Sequence, residues 1–208
     1  MKYLEMKKRA FMSIVNAAKP TLPFEFQQVE YIESTGTQYI DTGFTPNNKT
    51  RMLLDFQYTS LGVDRGRIAG TRYDSLSQGF YLGLYNGTYW YAAYNIGSFV
   101  GTHANTQRHI FDLNQDKAYL DDVLVMQFDP VEFTGYGNIY LFSWSAPIID
   151  YNSYAKIYNC KIWDNNMLVR DFIPCYRKFD GVKGMFDLVN NKFYENAGTG
   201  TFLKGENI

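Results

Sequence analysis

The sequence predicts an all-β protein, a two-sheet antiparallel β-sandwich preceded by a short N-terminal α-helix. Three observations predict this fold. From Phe24 onward apolar and polar side chains alternate, as they do along half-buried strands. Turn residues recur at the short spacing typical of sandwiches, and no later amphipathic helix offers the crossover that a parallel sheet needs. The apolar content depends on 18 Tyr, 16 Phe and 3 Trp, which favour pleated surfaces.

The alternation divides most of the chain into strands separated by turns. Asn86-Gly87 is the strongest hairpin signal, because both residues tolerate positive φ. Asp164-Asn165-Asn166 joins two long strands, and a two-residue loop there would place position 160 opposite position 171. That register makes a disulfide between Cys160 and Cys175 geometrically implausible. The predicted strands cover residues 28–33, 38–42, 50–58, 67–71, 80–85, 89–94, 108–112, 117–120, 123–128, 138–142, 155–163 and 167–176.

Residues 1–23 are predicted to form a helical leader and linker, and residues 24–208 the sandwich. Between residues 2 and 18 the apolar side chains share one side of a 3.6-residue helix, and Pro20 and Pro23 end it. A lone helix of this length is marginal in water, so its stripe must dock on the sandwich, on sister subunits or on a larger assembly. The side chains expected to make that contact are Leu4, Phe11, Ile14 and Val15.

Composition and charge exclude several classes of function. Lys plus Arg number 20 and Asp plus Glu 21, so the formal net charge of -1 provides no long-range field for a phosphate backbone. Nucleic acid is therefore not expected as a partner. No apolar run approaches the ~20 residues that a membrane-spanning helix requires. A hydrophobic content of 46% is enough for a folded core, which argues against disorder.

The sequence contains no recognisable catalytic pattern, and we expect a protein without enzymatic activity or cofactor. Glucanases with a sandwich fold need two carboxylates on one face of a strand, whereas Glu30 and Glu33 fall on opposite faces. His103 and His109 lack zinc-ligand spacing, and no phosphate-binding loop is present. Calcium would take oxygen ligands from loops, but no EF-hand spacing occurs and loop aspartates are more often solvated. The loop carboxylates in question are Asp41, Asp64, Asp74 and Asp150.

Two segments combine aromatic rings with amide and carboxylate groups, the chemistry that suits the apolar faces and hydroxyl edges of sugars. One runs from Tyr81 to Asn95 and the other from Trp144 to Tyr154, and the loop with Arg72 and Asp74 is expected to join them. The alternative is that alternate aromatics fill the core and the rest cover the outer surface. The candidate ligand-binding residues are Trp90, Tyr94, Asn95, Arg72, Asp74, Trp144, Tyr151 and Tyr154.

Two blocks near the ends of the sandwich carry a family resemblance. The first is VEYIESTGTQYIDTG at 29–43, and the second combines RDFIPCYR at 170–177, GVKGMFD at 181–187 and NKFYENAGTG at 191–200. Together they resemble laminin-G-like, concanavalin A-like jelly-roll domains of gut bacteria and their phages. The resemblance implies a jelly roll over about residues 26–204. It also implies the roles of that family, which includes adhesins, tail or head fibre components and carbohydrate-binding modules.

These observations lead us to expect a non-enzymatic lectin-like module of a bacteriophage virion (a fibre, tail or head decoration) or of a bacterial cell surface. Its expected partners are a glycan or host receptor and, through the leader, virion or surface-assembly proteins, and a homo-oligomer is compatible with this role. One alternative is an assembly protein without a ligand, in which the aromatics serve subunit packing. The other is a glycoside hydrolase of a jelly-roll family.

Overall fold

A computed structural model describes residues 21–62, 66–72, 79–145 and 153–208. The predicted helix, with Leu4, Phe11, Ile14 and Val15, lies outside the described residues, as do Asp74 and Tyr151. Among the residues that are described, no helical segment has the length and apolarity needed to cross a membrane.

All regular elements in the described ranges are β-strands, as the alternation predicts. In chain order they are β1 Phe26–Gln28, β2 Ile32–Thr35, β3 Ile40–Asp41, β4 Thr50–Tyr58, β5 Arg67–Thr71, β6 Gly79–Tyr85, β7 Tyr89–Asn95, β8 Gly97–His103, β9 Arg108–Asn114, β10 Lys117–Leu120, β11 Val123–Gln127, β12 Tyr140–Leu141, β13 Tyr154–Asp164, β14 Met167–Arg177, β15 Lys183–Asp187, β16 Lys192–Glu195 and β17 Leu203–Lys204.

The strands form two sheets that pack face to face. The larger sheet runs β11-β10-β9-β4-β13-β14-β15-β16, with β1, β2 and β17 attached beside it. The smaller sheet runs β3-β12-β5-β6-β7-β8. Every ladder between named strands is antiparallel, which confirms the predicted all-β, two-sheet antiparallel sandwich.

The core lies between the sheets because alternate side chains of each strand point into it. Along β4, Met52, Leu54 and Phe56 are fully buried, and the Phe56 ring meets the Trp90 ring of the smaller sheet edge-on, with centroids 6.0 Å apart. Each large apolar side chain buried in this way stabilises the fold by roughly 1.5–3 kcal/mol. The core therefore uses many of the aromatics that the composition supplies.

The turns agree with the chemistry read from the sequence. Asn86 and Gly87 both have positive φ, at 51° and 64°, and Asn165 and Asn166 do as well. The second hairpin pairs position 160 with 172 and not with 171, because a β-bulge at Ile162 shifts the register by one residue. Cys160 and Cys175 are both free and buried, so the prediction that they form no disulfide is confirmed.

Several strands were not predicted. β8 contains two glycines, which weaken a strand signal, and it is an edge strand with exposed side chains. β15, β16 and β17 are short and follow turn-rich sequence. The single strand predicted at 28–33 is instead divided into β1 and β2, since Glu30 donates its backbone N–H to Glu206 near the chain end.

Candidate ligand-binding site

The central strands of the smaller sheet carry aromatics on both faces. On β7, Trp90, Ala92 and Tyr94 belong to the core between the sheets, whereas Tyr91 and Ala93 point to the outer face. The outer residues form a separate cluster with Tyr81 of β6 and with Trp144. This placement separates Trp90 and Tyr94, two of the predicted ligand-binding residues, from the outer cluster. Each is only 3% exposed, and both lie on the opposite face of the sheet from the outer cluster.

The outer cluster, which consists of Tyr81, Tyr91, Ala93 and Trp144, has defined ring geometry. Tyr81 meets Trp144 edge-on, with centroids 5.0 Å apart, and lies 5.4 Å from Tyr91. Tyr85 extends the cluster, with its ring centroid 5.5 Å from that of Tyr91. Offset and edge-on aromatic pairs of this kind stabilise each other by about 0.5–1.5 kcal/mol beyond their area burial.

Two arginines pack against these rings. The Arg67 guanidinium carbon lies 4.7 Å from the centre of the Tyr91 ring and 5.0 Å from that of Trp144. Arg72 lies 5.6 Å from the centre of the Tyr81 ring and donates a 2.7 Å hydrogen bond to the Tyr81 hydroxyl. All three distances to ring centres are in the range of cation–π contacts. The cluster is therefore a buried group of aromatic rings in contact with two arginines on the outer face of the smaller sheet.

Arg67 is unusual because its charge is almost completely buried, at 3% exposure. Its Nη1 donates to the Leu84 carbonyl, and its Nε has no hydrogen-bond partner within the described part of the chain. No carboxylate among the described residues forms an ion pair with it. Burial lowers the pKa of Arg67, since the charged form is disfavoured away from water.

A cavity of about 230 Å³ opens beside the outer cluster. Side chains from β6, β7, β8 and the end of β5 surround it, and most of them are polar. Two predicted ligand-binding residues line this cavity, Arg72 and Asn95. Its described walls contain a guanidinium, phenol hydroxyls, an amide and an alcohol, and they consist of Arg72, Tyr81, Tyr91, Ala93, Asn95, Ile96, Gly97 and Ser98.

The pKa of Tyr91 responds to the charges and hydroxyl groups around this cavity. Burial alone would raise the pKa of its phenol. The neighbouring hydroxyls of Ser98 and Tyr81 and the charges of Arg67 and Arg72 outweigh burial, and the pKa of Tyr91 is lowered overall. The surroundings of the Tyr91 oxygen therefore favour negative charge.

The structure brings together only part of the predicted site. Arg72, Asn95 and Trp144 belong to the cavity or to the cluster beneath it. Tyr154 does not, because it begins β13 in the larger sheet, is 40% exposed and lies against Gly36. Asp74 and Tyr151 lie outside the described residues.

Two residues at this site, Arg67 and Ser98, are not among the ligand-binding residues predicted from the sequence. Neither carries a local motif, and both reach the site through pairing with β6 and β7. Register places Arg67 beside Gly83 and Ser98 beside Ala93. The signal that could find them is the alternation of side chains between the two faces of each strand. Residues that pair directly across neighbouring strands lie on the same face of the sheet.

The metal-binding groups of the described residues do not assemble into a site with three or more ligating side chains. Asp41 Oδ1 accepts hydrogen bonds from the Gly43 N–H at 2.9 Å and from the Asn138 amide at 3.0 Å. Asp64, Asp74 and Asp150 lie outside the described residues. His109 is hydrogen-bonded by both ring nitrogens, to Asp121 and Asn105.

Comparison with known proteins bears on the fold. One solved structure, a "putative carbohydrate binding protein" from Bacteroides ovatus ATCC 8483, matches with a TM-score of 0.52 at 11% sequence identity. The match covers 89% of this chain and 62% of that chain, so this chain spans less than two thirds of that protein's length. At this identity the likeness shows a shared fold alone. No family model and no curated protein sequence matches the chain.

Proposed function

We propose that the chain is a non-enzymatic carbohydrate-binding module that contacts its glycan through the outer face of the smaller sheet. The observation that carries the proposal is the polar cavity beside the outer cluster, where Arg72, Asn95 and Ser98 offer hydrogen bonds next to aromatic rings. Sugars present hydroxyl edges and apolar faces, and such a mixture of groups complements both. The name of the Bacteroides ovatus protein with the same fold points in the same direction.

The absence of catalysis is part of the proposal. A glycosidase needs two carboxyl groups on either side of the scissile bond, roughly 5–10 Å apart. The described residues that line the cavity include no Asp or Glu. Recognition without bond cleavage is the function that these side chains support best.

The finer assignment rests on the sequence resemblance. In this proposal the sandwich is a concanavalin A-like, laminin-G-like jelly roll of a phage virion or a bacterial surface. Residues 1–23 attach it to the virion or surface assembly, and several copies assemble. The two blocks at 29–43 and 170–200 support this assignment.

One observation favours the alternative of an assembly protein without a ligand. The edge strand β11 exposes Val123 by 64% and Leu124 by 49%, and an exposed edge with apolar side chains is suited to pairing between subunits. In that case the chain would assemble but would retain no glycan.

A glycan array with the full chain, together with its mass in solution, tests the proposal. We expect retention of specific glycans and loss of that retention in Asn95→Ala, a change at the cavity wall. Lys192→Gln, at an exposed position of β16 in the larger sheet, is the matched control and should bind as the wild type does. An assembled chain that retains no glycan would favour the assembly protein, and cleavage of a retained glycan would favour the hydrolase.

A further inference from the structure

We infer that this chain forms a two-fold symmetric dimer, in which β11 of one copy pairs with β11 of the other. We call the side of the sandwich that carries this contact, formed by the edge strands β8 and β11, the open side. The inference rests on the assembly of copies that is part of the proposed function, and it names the surface that makes that assembly. It does not depend on glycan binding.

The open side brings together one edge of each sheet. β8 ends the smaller sheet, and β11 ends the larger sheet. They lie on the same side of the sandwich, because Phe128, which directly follows β11, stacks on Tyr94 with ring centroids 5.8 Å apart and lies against Gly97 of β8. Within the described ranges, no strand pairs with the outer edge of β8 or of β11. The backbone N–H and C=O groups along these edges are therefore available to another chain.

Apolar side chains are exposed along both edges of the open side. Val123 and Leu124 of β11 are 64% and 49% exposed, and Val100 of β8 is 46% exposed. Val125 and Met126 pack against the core but are only partly buried. The core thus extends to the open side without being closed there, and a partner that covers this side removes apolar surface from water.

The open side differs in charge from the opposite edges of the two sheets. Neither β8, with the sequence GSFVGTH, nor β11, with the sequence VLVMQ, contains Asp, Glu, Lys, Arg or Pro. At the opposite edge of the larger sheet, β16 has exposed Lys192 and Glu195. At the opposite edge of the smaller sheet, β3 is only two residues long and includes Asp41. Because charged or very short edge strands resist pairing with another chain, β8 and β11 are the edges suited to it.

A second copy of the chain fits this surface because an uncharged edge strand does not repel itself. In a two-fold contact the same patch meets itself, so a charge near the axis would face a like charge. The formal net charge of -1 also leaves little long-range repulsion between copies. Antiparallel pairing of β11 with itself continues the antiparallel larger sheet across the axis, and each copy supplies the backbone groups that the other needs.

The size of the open side fits a small dimer interface. Strands of five and seven residues span roughly 17–23 Å, and packed sheets lie about 10 Å apart. A contact over this side, including the side chains that flank it, would bury on the order of 1,000 Å² from the two copies together, near the lower limit for a specific interface. We therefore expect a dimer that forms reversibly at micromolar concentrations.

Analytical ultracentrifugation of the full chain from about 1 to about 100 μM tests the inference. We expect a reversible shift toward twice the mass of one chain as the concentration rises. Amide hydrogen exchange, measured at both ends of this range, locates the contact. Exchange in β11 should slow at the higher concentration because its outer N–H groups become hydrogen-bonded, whereas exchange in β16 should stay the same.

Leu124→Lys and Leu203→Lys form a matched pair of variants, because both leucines lie on short strands and they are 49% and 51% exposed. Leu124→Lys brings like charges together across the axis and should raise the dissociation constant of the dimer at least about 100-fold. Leu203→Lys, on β17, should leave it unchanged. The melting temperature confirms folding, and Val123→Lys decides the case if Leu124→Lys does not fold.

A mixing experiment tests the two-fold symmetry itself. Leu124→Glu should be monomeric alone for the same reason as Leu124→Lys. Position 124 lies near the centre of β11, so the axis brings the two copies of this position close together. An equimolar mixture of the two variants should therefore recover the dimer, because opposite charges then face each other.

The outcomes separate the inference from the proposed carbohydrate binding. A chain that stays monomeric up to about 100 μM would overturn the inference and leave carbohydrate binding intact. Assembly that survives Leu124→Lys, or that Leu203→Lys abolishes, would also overturn it, because another surface would then join the copies. A mixture that stays monomeric would overturn the two-fold pairing of β11. A dimer that behaves as expected but retains no glycan would support the inference and refute the carbohydrate-binding function.

Discussion

Asp187 offers the sharpest test of how the larger sheet is held together. Its carboxylate is fully buried, and one oxygen accepts hydrogen bonds from the backbone N–H groups of Asp171 and Val189, each 3.0 Å long. The other oxygen accepts from the Asn190 amide and lies 3.6 Å from Arg170. Asp187→Ala removes all of these contacts at once.

The expected loss of unfolding free energy depends on which hydrogen-bond acceptors the partners of Asp187 still have after the substitution. Removing one member of a buried charged pair costs roughly 3–5 kcal/mol. Arg170 keeps carbonyl acceptors on Thr42 and Gly43, and Asn190 keeps one on Val169, which places Asp187→Ala at the lower end, about 3 kcal/mol. Asp187→Asn keeps one acceptor oxygen for the two backbone N–H groups and should cost about 1–2 kcal/mol.

Urea unfolding followed by tryptophan fluorescence measures these values, as a lower midpoint with an unchanged slope. Asp180→Ala is the matched control, because it breaks an ion pair with Arg177 at the surface and should shift the midpoint far less. A loss under about 1 kcal/mol for Asp187→Ala, or equal losses for the Asn and Ala variants, would refute this account of a buried, multiply bonded carboxylate.

Three further predictions concern stability. Gly70→Ala should lower the free energy of unfolding by more than about 2 kcal/mol, because Gly70 has a φ of +143° and an added Cβ would lie 2.1 Å from the Tyr81 Cβ. Gly181→Ala should lower it less, because Gly181 has a φ of +72° and open space around it. Thermal melts compare the two variants. Burial raises the pKa of the Cys175 thiol from 9.0 to about 12, so the native state keeps a proton that the unfolded chain loses. Stability should therefore fall with rising pH across that window, by about 1.4 kcal/mol per pH unit for this thiol, and urea unfolding of Cys175→Ala should show a shallower fall. Trp90→Ala should lower the free energy of unfolding by about 3–5 kcal/mol in the same urea assay, because Trp90 lies in the core. A change near zero would mean that the ring is not part of the core.

The sequence predicts this fold well where a strand has one buried face and a recognisable turn at its end. β4 and β10 have the predicted bounds, and the Asn86-Gly87 and Asn165-Asn166 turns have the expected positive φ. The two-residue shape of the second hairpin is also as predicted. Its register is shifted because the bulge at Ile162 adds a residue to one strand, and a bulge leaves little trace in a pattern of alternation.

The site was harder to predict, for a physical reason that β7 makes plain. Five consecutive residues of this strand are buried, since the core covers one face and the outer cluster covers much of the other. A strand buried on both faces reads as a continuous apolar run, so the sequence does not reveal which aromatics point to the core. The candidates predicted from the sequence therefore include Trp90 and Tyr94 but not Tyr91, and only the strand pairing shows which of these side chains point to the core.

Glycine explains how a charged side chain can lie flat on the outer face of this sheet. Gly83 stands between Arg67 and Tyr91 in one row of paired residues, with Arg67 on one neighbouring strand and Tyr91 on the other. A Cβ at Gly83 would approach the Arg67 Cδ to 2.9 Å and the Gly66 carbonyl oxygen to 2.7 Å, so any side chain there would compete with the arginine for the same space. Because the position is empty, the guanidinium crosses it and reaches the Tyr91 ring. The contact between the Arg67 guanidinium and the Tyr91 ring thus depends on a residue that contributes no charge, ring or hydrogen-bonding side chain of its own.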